Sequence, residues 1–144
     1  MKKRSQIAEK YKWNLKDIFE NEDELLKSIQ KIEKYPAILS AYKGKLKKIN
    51  TCYEYFELCT ELGKIMDKVE VYVSLKLSEN LEDNKFLEIS SKLSNISKNI
   101  SVATSFEEPE LLGYGEKYLN KLLKDSRFKD YSMSIKNLIR EKAH

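Results

Sequence analysis

The sequence predicts an all-α protein, an irregular helical bundle built around a long antiparallel helical hairpin. Three observations lead there. Apolar residues recur at steps of three and four almost everywhere after residue 20, the chain has only four glycines and two prolines to spend on turns, and no alternating run of strand length occurs. With 144 residues, 41% of them hydrophobic, the chain is of a size to form one domain over 1–144 with a modest core.

Residues 1–20 read as an N-terminal packing segment. Within it "YKWNLKDIF", Tyr11 to Phe19, holds the only tryptophan. Trp13, Leu15, Ile18 and Phe19 are expected to pack across the long helices, since burying side chains of this size stabilises by roughly 1.5 to 3 kcal/mol each. Asn21 with Glu24 three residues on has the form of a capping box, and Leu25, Leu26, Ile29 and Ile32 follow as an apolar stripe. Pro36 crowds the turn before it, yet Leu39 and Tyr42 continue the stripe, so one kinked helix ending near Gly44 is expected. Thr51 and Glu54 repeat the capping pattern at the head of a helix to about Ser78, with the stripe Cys52, Tyr55, Phe56, Cys59, Leu62, Met66, Val69 and Val73.

After the polar turn "SENLEDN", Phe86, Ile89, Leu93, Ile96, Ile100 and Ala103 keep the 3.5-residue period of a helical seam. The two long helices should therefore lie antiparallel. Ser90, Ser94, Ser97 and Ser101 occupy the other face of the second helix, which depends on tertiary packing because serine is a mediocre helix former. Pro109 in "FEEPELL" suits the first turn of a new helix. Tyr118, Leu119, Leu122 and Leu123 predict a short helix, and Phe128, Tyr131, Ile135, Leu138 and Ile139 a last one.

Charge says little about partners. Lysine and arginine total 27 against 23 acidic residues, a net +4 spread along the chain. Only Arg4, Arg127 and Arg140 are arginines, and the densest basic stretch, "KGKLKK" at Lys43 to Lys48, has no aromatic platform for stacking bases. No nucleic-acid partner is expected, and the stretch reads as a solvated helix end or loop. The basic start lacks an apolar h-region and no segment approaches the roughly 20 apolar residues of a membrane span. A soluble, cytoplasmic protein without a membrane partner is expected.

The inventory is poor in catalytic groups. A lone histidine, His144, excludes the H-E-x-x-H zinc motif and makes a Ser-His-Asp triad untenable for the chain as given. Cys52 and Cys59 stand seven apart, about 10 Å along a helix, too far for one disulfide, and read as reduced core thiols. Gly113 and Gly115 precede no phosphate-binding lysine. Glu107, Glu108 and Glu110 around Pro109 are explained by a helix N-terminus. A calcium loop at Glu79, Asn80, Glu82 and Asp83 lacks the glycine turn and the closing glutamate. No catalytic, metal-binding or cofactor-binding residue is assigned.

Five stretches, "YKWNLKDIF", "AYKGKL", "VYVSLKLSENLEDN", "SFEEPELL" and "YSMSIKNLIREKAH", resemble in that order the N-terminal region of oligoendopeptidase F, in the thimet-like zinc metallopeptidase family. The resemblance covers the chain from Tyr11 onward. Asn80 departs from the aspartate that family members often carry there. The resemblance implies an N-terminal helical domain of a longer peptidase that cleaves short peptides. Its zinc site would lie in a catalytic domain absent here, so this chain should be inactive alone and need no cofactor, zinc belonging to the parent. Its expected partners are that catalytic domain and the parent's peptide substrates, with self-association through an exposed apolar interface. The alternative is a free-standing helical protein-interaction module.

Overall fold

The computed structural model describes residues 15–143, and every regular element among them is helical. A 3-10 turn at Leu15–Asp17 precedes α1 (Glu22–Glu33), α2 (Tyr35–Ser40), α3 (Ile49–Glu79) and α4 (Asn84–Ala103). Then come α5 (Glu107–Tyr114), α6 (Glu116–Lys124), a 3-10 segment at Ser126–Tyr131 and α7 (Ser132–Lys142). These elements form two compact units, unit 1 from residues 15–35 and 62–99 and unit 2 from 36–61 and 100–143.

Unit 1 follows its apolar spacing. The Asn21 side chain accepts from the Glu24 N–H at 3.0 Å, capping α1, and Leu25, Ile29 and Ile32 point into the core. Val69, Tyr72 and Val73 of α3 and Phe86, Ile89, Leu93 and Ile96 of α4 are buried with them. The Tyr72 and Phe86 rings lie 6.3 Å apart, with the Lys76 ammonium over both. Asp83 caps α4 by accepting from the Lys85 and Phe86 N–H groups at 3.1 and 3.3 Å.

Unit 2 closes around Leu39, Leu46, Tyr55, Phe56, Leu111, Leu119, Leu122, Phe128 and Ile135, all buried. Phe128 stacks edge-on against Tyr53 and Phe56, at 5.6 and 5.7 Å. The chain passes from α5 to α6 through Gly115 at φ +92°, a conformation that side chains with a Cβ rarely adopt.

Three expectations fail locally. The kinked helix to Gly44 is two helices: α1 ends at Glu33, and the Lys34 N–H turns back to Lys31 O at 3.2 Å. Pro36 cannot donate to Ile32, whereas in the first turn of α2 its missing N–H costs nothing. Thr51 is no cap, because α3 begins two residues earlier at Ile49. Phe128 and Tyr131 belong to a 3-10 segment ahead of the last helix, opened by Asp125, whose carboxylate accepts from the Arg127 N–H at 3.0 Å.

Candidate functional site

The N-terminal packing residues divide at the edge of the described chain. Trp13 lies outside it. Leu15 and Phe19 are 8% and 6% exposed and Ile18 is half-buried. Phe19 meets Tyr72 edge-on at 5.4 Å, under the Lys68 ammonium at 4.8 Å. The Ile18 and Phe19 N–H groups both donate to Leu15 O at 3.1 Å, so one turn presents the apolar side chains.

Polar chemistry concentrates in unit 2, where α5 carries Glu107 and Glu110 three residues apart on one face. Tyr55 of α3, fully buried, donates its hydroxyl to Glu107 Oε2 at 2.9 Å. Partial burial pushes the Glu107 carboxyl up, the Tyr55 hydrogen bond opposing it. Glu110 accepts from the Gly44 N–H and, at 3.0 Å, from the Leu46 N–H, while the Tyr118 hydroxyl donates to Leu46 O. Sequence reading assigned these glutamates to a helix N-terminus. Their i, i+3 spacing was the available signal for a shared face, but not for what that face would meet.

Cys52 is buried and Cys59 half-buried, both as free thiols. Burial pushes each up to about 11, with Glu107 adding to the shift. Neither forms appreciable thiolate near neutral pH, so neither is an activated nucleophile.

Beside this network a hollow of about 400 Å³ is lined by Phe56 and Ile135 at its apolar side and by Ser105, Glu108, Asn137 and Glu141 at its polar side. Glu141 beside Glu108 holds the latter's carboxyl above its ordinary range. Unit 1 has a comparable hollow of about 420 Å³, where Val73 and Leu77 of α3 face Leu93 and Ser94 of α4. Such concavities can hold a ligand; their polar lining consists of carboxylates, hydroxyls and an amide, with no histidine or cysteine among the described residues that line them.

Against known proteins, the Group B oligopeptidase PepB of Streptococcus agalactiae is 31% identical over 145 residues, covering 98% of this chain. The chain is an oligoendopeptidase F relative. The Oligoendopeptidase F homolog of Borreliella burgdorferi is 28% identical and the Oligopeptidase PepF of Bacillus subtilis 26%, each again over 98% of the chain. The chain spans about a quarter of the length of these three relatives, 24%, 24% and 21% respectively. It is thus a peptidase-related, all-α region. No family model matches it, and no solved structure matches it.

A zinc centre of the H-E-x-x-H kind does not fit the residues present. The only histidine, His144, lies outside the described residues, and among those described no three His, Cys, Asp or Glu side chains are grouped to hold a metal ion. No described helix is long and apolar enough to cross a membrane.

Proposed function

We propose that the chain is the N-terminal, non-catalytic helical region of an oligoendopeptidase F-like zinc metallopeptidase, forming part of the wall of the channel through which short peptides reach a zinc centre carried elsewhere. The observation that carries the reading is the pairing of near-complete coverage of this chain with coverage of only about a quarter of its relatives. Helices with shallow hollows of about 400 Å³ suit a wall that sorts peptides by size. Exposed Val71 and Leu81 in unit 1, and Val102 and Met133 in unit 2, provide apolar contacts for a neighbouring domain or a second copy.

A chimera tests this directly. Replacing the matching region of the Bacillus subtilis relative with this chain should preserve cleavage of a short quenched-fluorescent peptide and alter the longest peptide accepted, while the chain alone with added zinc should cleave nothing. Cleavage by the isolated chain, or a chimera that folds and cleaves with an unchanged length limit, would refute the wall role.

A further inference from the structure

We infer that the lysine-rich loop Lys43 to Lys48 of unit 2 is a docking surface for an acidic polypeptide segment, independent of whether the chain lines a peptidase channel. Lys43, Lys45, Lys47 and Lys48 are all exposed, while Leu46 between them is fully buried as the loop's anchor. The backbone beneath them is held at several points. Glu110 accepts from the Gly44 and Leu46 N–H groups, Tyr118 donates to Leu46 O, and the Lys45 N–H reaches Tyr42 O at 2.9 Å. Gly44 at φ +79° makes the turn that a residue with a Cβ would resist. Four cationic side chains are therefore presented from a fixed frame.

Among the described residues, ion pairs such as Lys27 to Glu24, Lys85 to Glu22, Lys92 to Glu33 and Arg127 to Asp125 engage no lysine of this loop. Glu110, the carboxylate beneath, accepts from two backbone N–H groups and offsets at most one of the four positive charges. The loop leads directly into α3, whose first turn carries no acidic residue. The positive end of that helix dipole thus adds to the lysines where folding alone would favour carboxylates. Positive charge gathered against both self-repulsion and the dipole is complementary to an anionic partner.

The chemistry favours an acidic peptide over nucleic acid. Lysine offers point charges that carboxylates satisfy singly, without the planar fork that grips phosphate in bidentate fashion. The aromatic rings beside the loop are engaged within the protein: Tyr42 is half-buried against Tyr55, 5.6 Å away, Tyr118 donates its hydroxyl to Leu46 O, and Tyr114 packs edge-on against Tyr118 at 5.3 Å.

The test titrates the 144-residue chain against a fluorescent peptide alternating Glu and Gly, a matched Gln and Gly peptide, and an oligothymidylate of the same charge, reading anisotropy. A loop variant carries Lys43→Gln, Lys45→Gln, Lys47→Gln and Lys48→Gln. A control carries Lys117→Gln, Lys121→Gln, Lys124→Gln and Lys129→Gln, with the same charge change in the same unit. The acidic peptide should bind more tightly than the other two probes, and the loop variant should weaken it about tenfold or more while the control changes it little. The loop variant's melting temperature should hold or rise. Equal weakening by both variants would reduce the effect to net charge, tighter oligothymidylate binding would make the surface a nucleic-acid one, and no preference for the acidic peptide would end the proposal.

Discussion

In unit 1 the carboxylates work at the surface: Glu22 meets Lys85, and Glu33 meets Lys92 at 2.7 Å, with all four side chains well exposed to water. In unit 2 the carboxylates of α5 turn inward, Glu107 to the buried Tyr55 and Glu110 to the backbone of the 44–46 loop. Both units bury aromatic and aliphatic side chains at helical spacing. What differs is how much each relies on half-buried carboxylates that bind parts of the chain far away in sequence, where water replaces a lost hydrogen bond less fully than at an exposed pair. Unit 1 should therefore tolerate loss of its ion pairs, and unit 2 should not tolerate loss of its inward glutamates.

The largest expected effect sets the scale for both units. Phe128→Ala removes a ring 1% exposed from among Tyr53, Phe56 and Tyr131 and should cost about 3 to 5 kcal/mol of stability by cavity formation. Denaturant unfolding measures it, and a cost near that of a surface substitution would mean that the aromatic cluster is not a core.

Next is the contrast itself. Glu110→Ala removes the acceptor of the part-buried Leu46 N–H and of the exposed Gly44 N–H, which water can satisfy, and should cost about 1 to 1.5 kcal/mol, with faster amide exchange at Leu46. Glu33→Ala, which breaks the exposed pair with Lys92, should cost only about 0 to 1 kcal/mol. Equal costs for the two would erase the distinction between the units.

The smallest effect concerns pH. Partial burial raises the Glu107 carboxyl above its ordinary 4.5 in the folded chain. The stability linked to this group is therefore fully present below its unfolded value and lost as pH rises through the folded one. Glu107→Gln keeps an acceptor for Tyr55 and removes the titration, so its melting temperature should gain on the parent's as pH climbs from acid toward neutral. Parallel curves for parent and variant would show that Glu107 titrates in the fold as it does unfolded.

Several elements were legible in the residues. Asn21 and Glu24 announced the start of α1, and the run from Phe86 to Ile96 named the buried face of α4. Thr51 misled because a capping pattern is only local: nothing in Thr51 and Glu54 shows that α3 has already begun at Ile49. Pro36 misled because the stripe continues on both sides of it, while the hydrogen-bond ladder does not. "KGKLKK" looked like a solvated loop, and four of its lysines are exposed, yet Leu46 among them is fully buried.

The all-α class, most of the apolar faces, the lack of a zinc motif and the resemblance to oligoendopeptidase F are all readable from the order of residues. Each of these depends on residues close together in the chain or on the inventory alone. Folding in three dimensions brings Glu107 to Tyr55, 52 positions away, and Glu110 to Gly44 and Leu46, 66 and 64 positions away. Helical periodicity repeats every 3.6 residues and says which side of a helix a carboxylate occupies. It carries no information about which distant backbone will be brought against that side, and in unit 2 that meeting shapes the lysine loop.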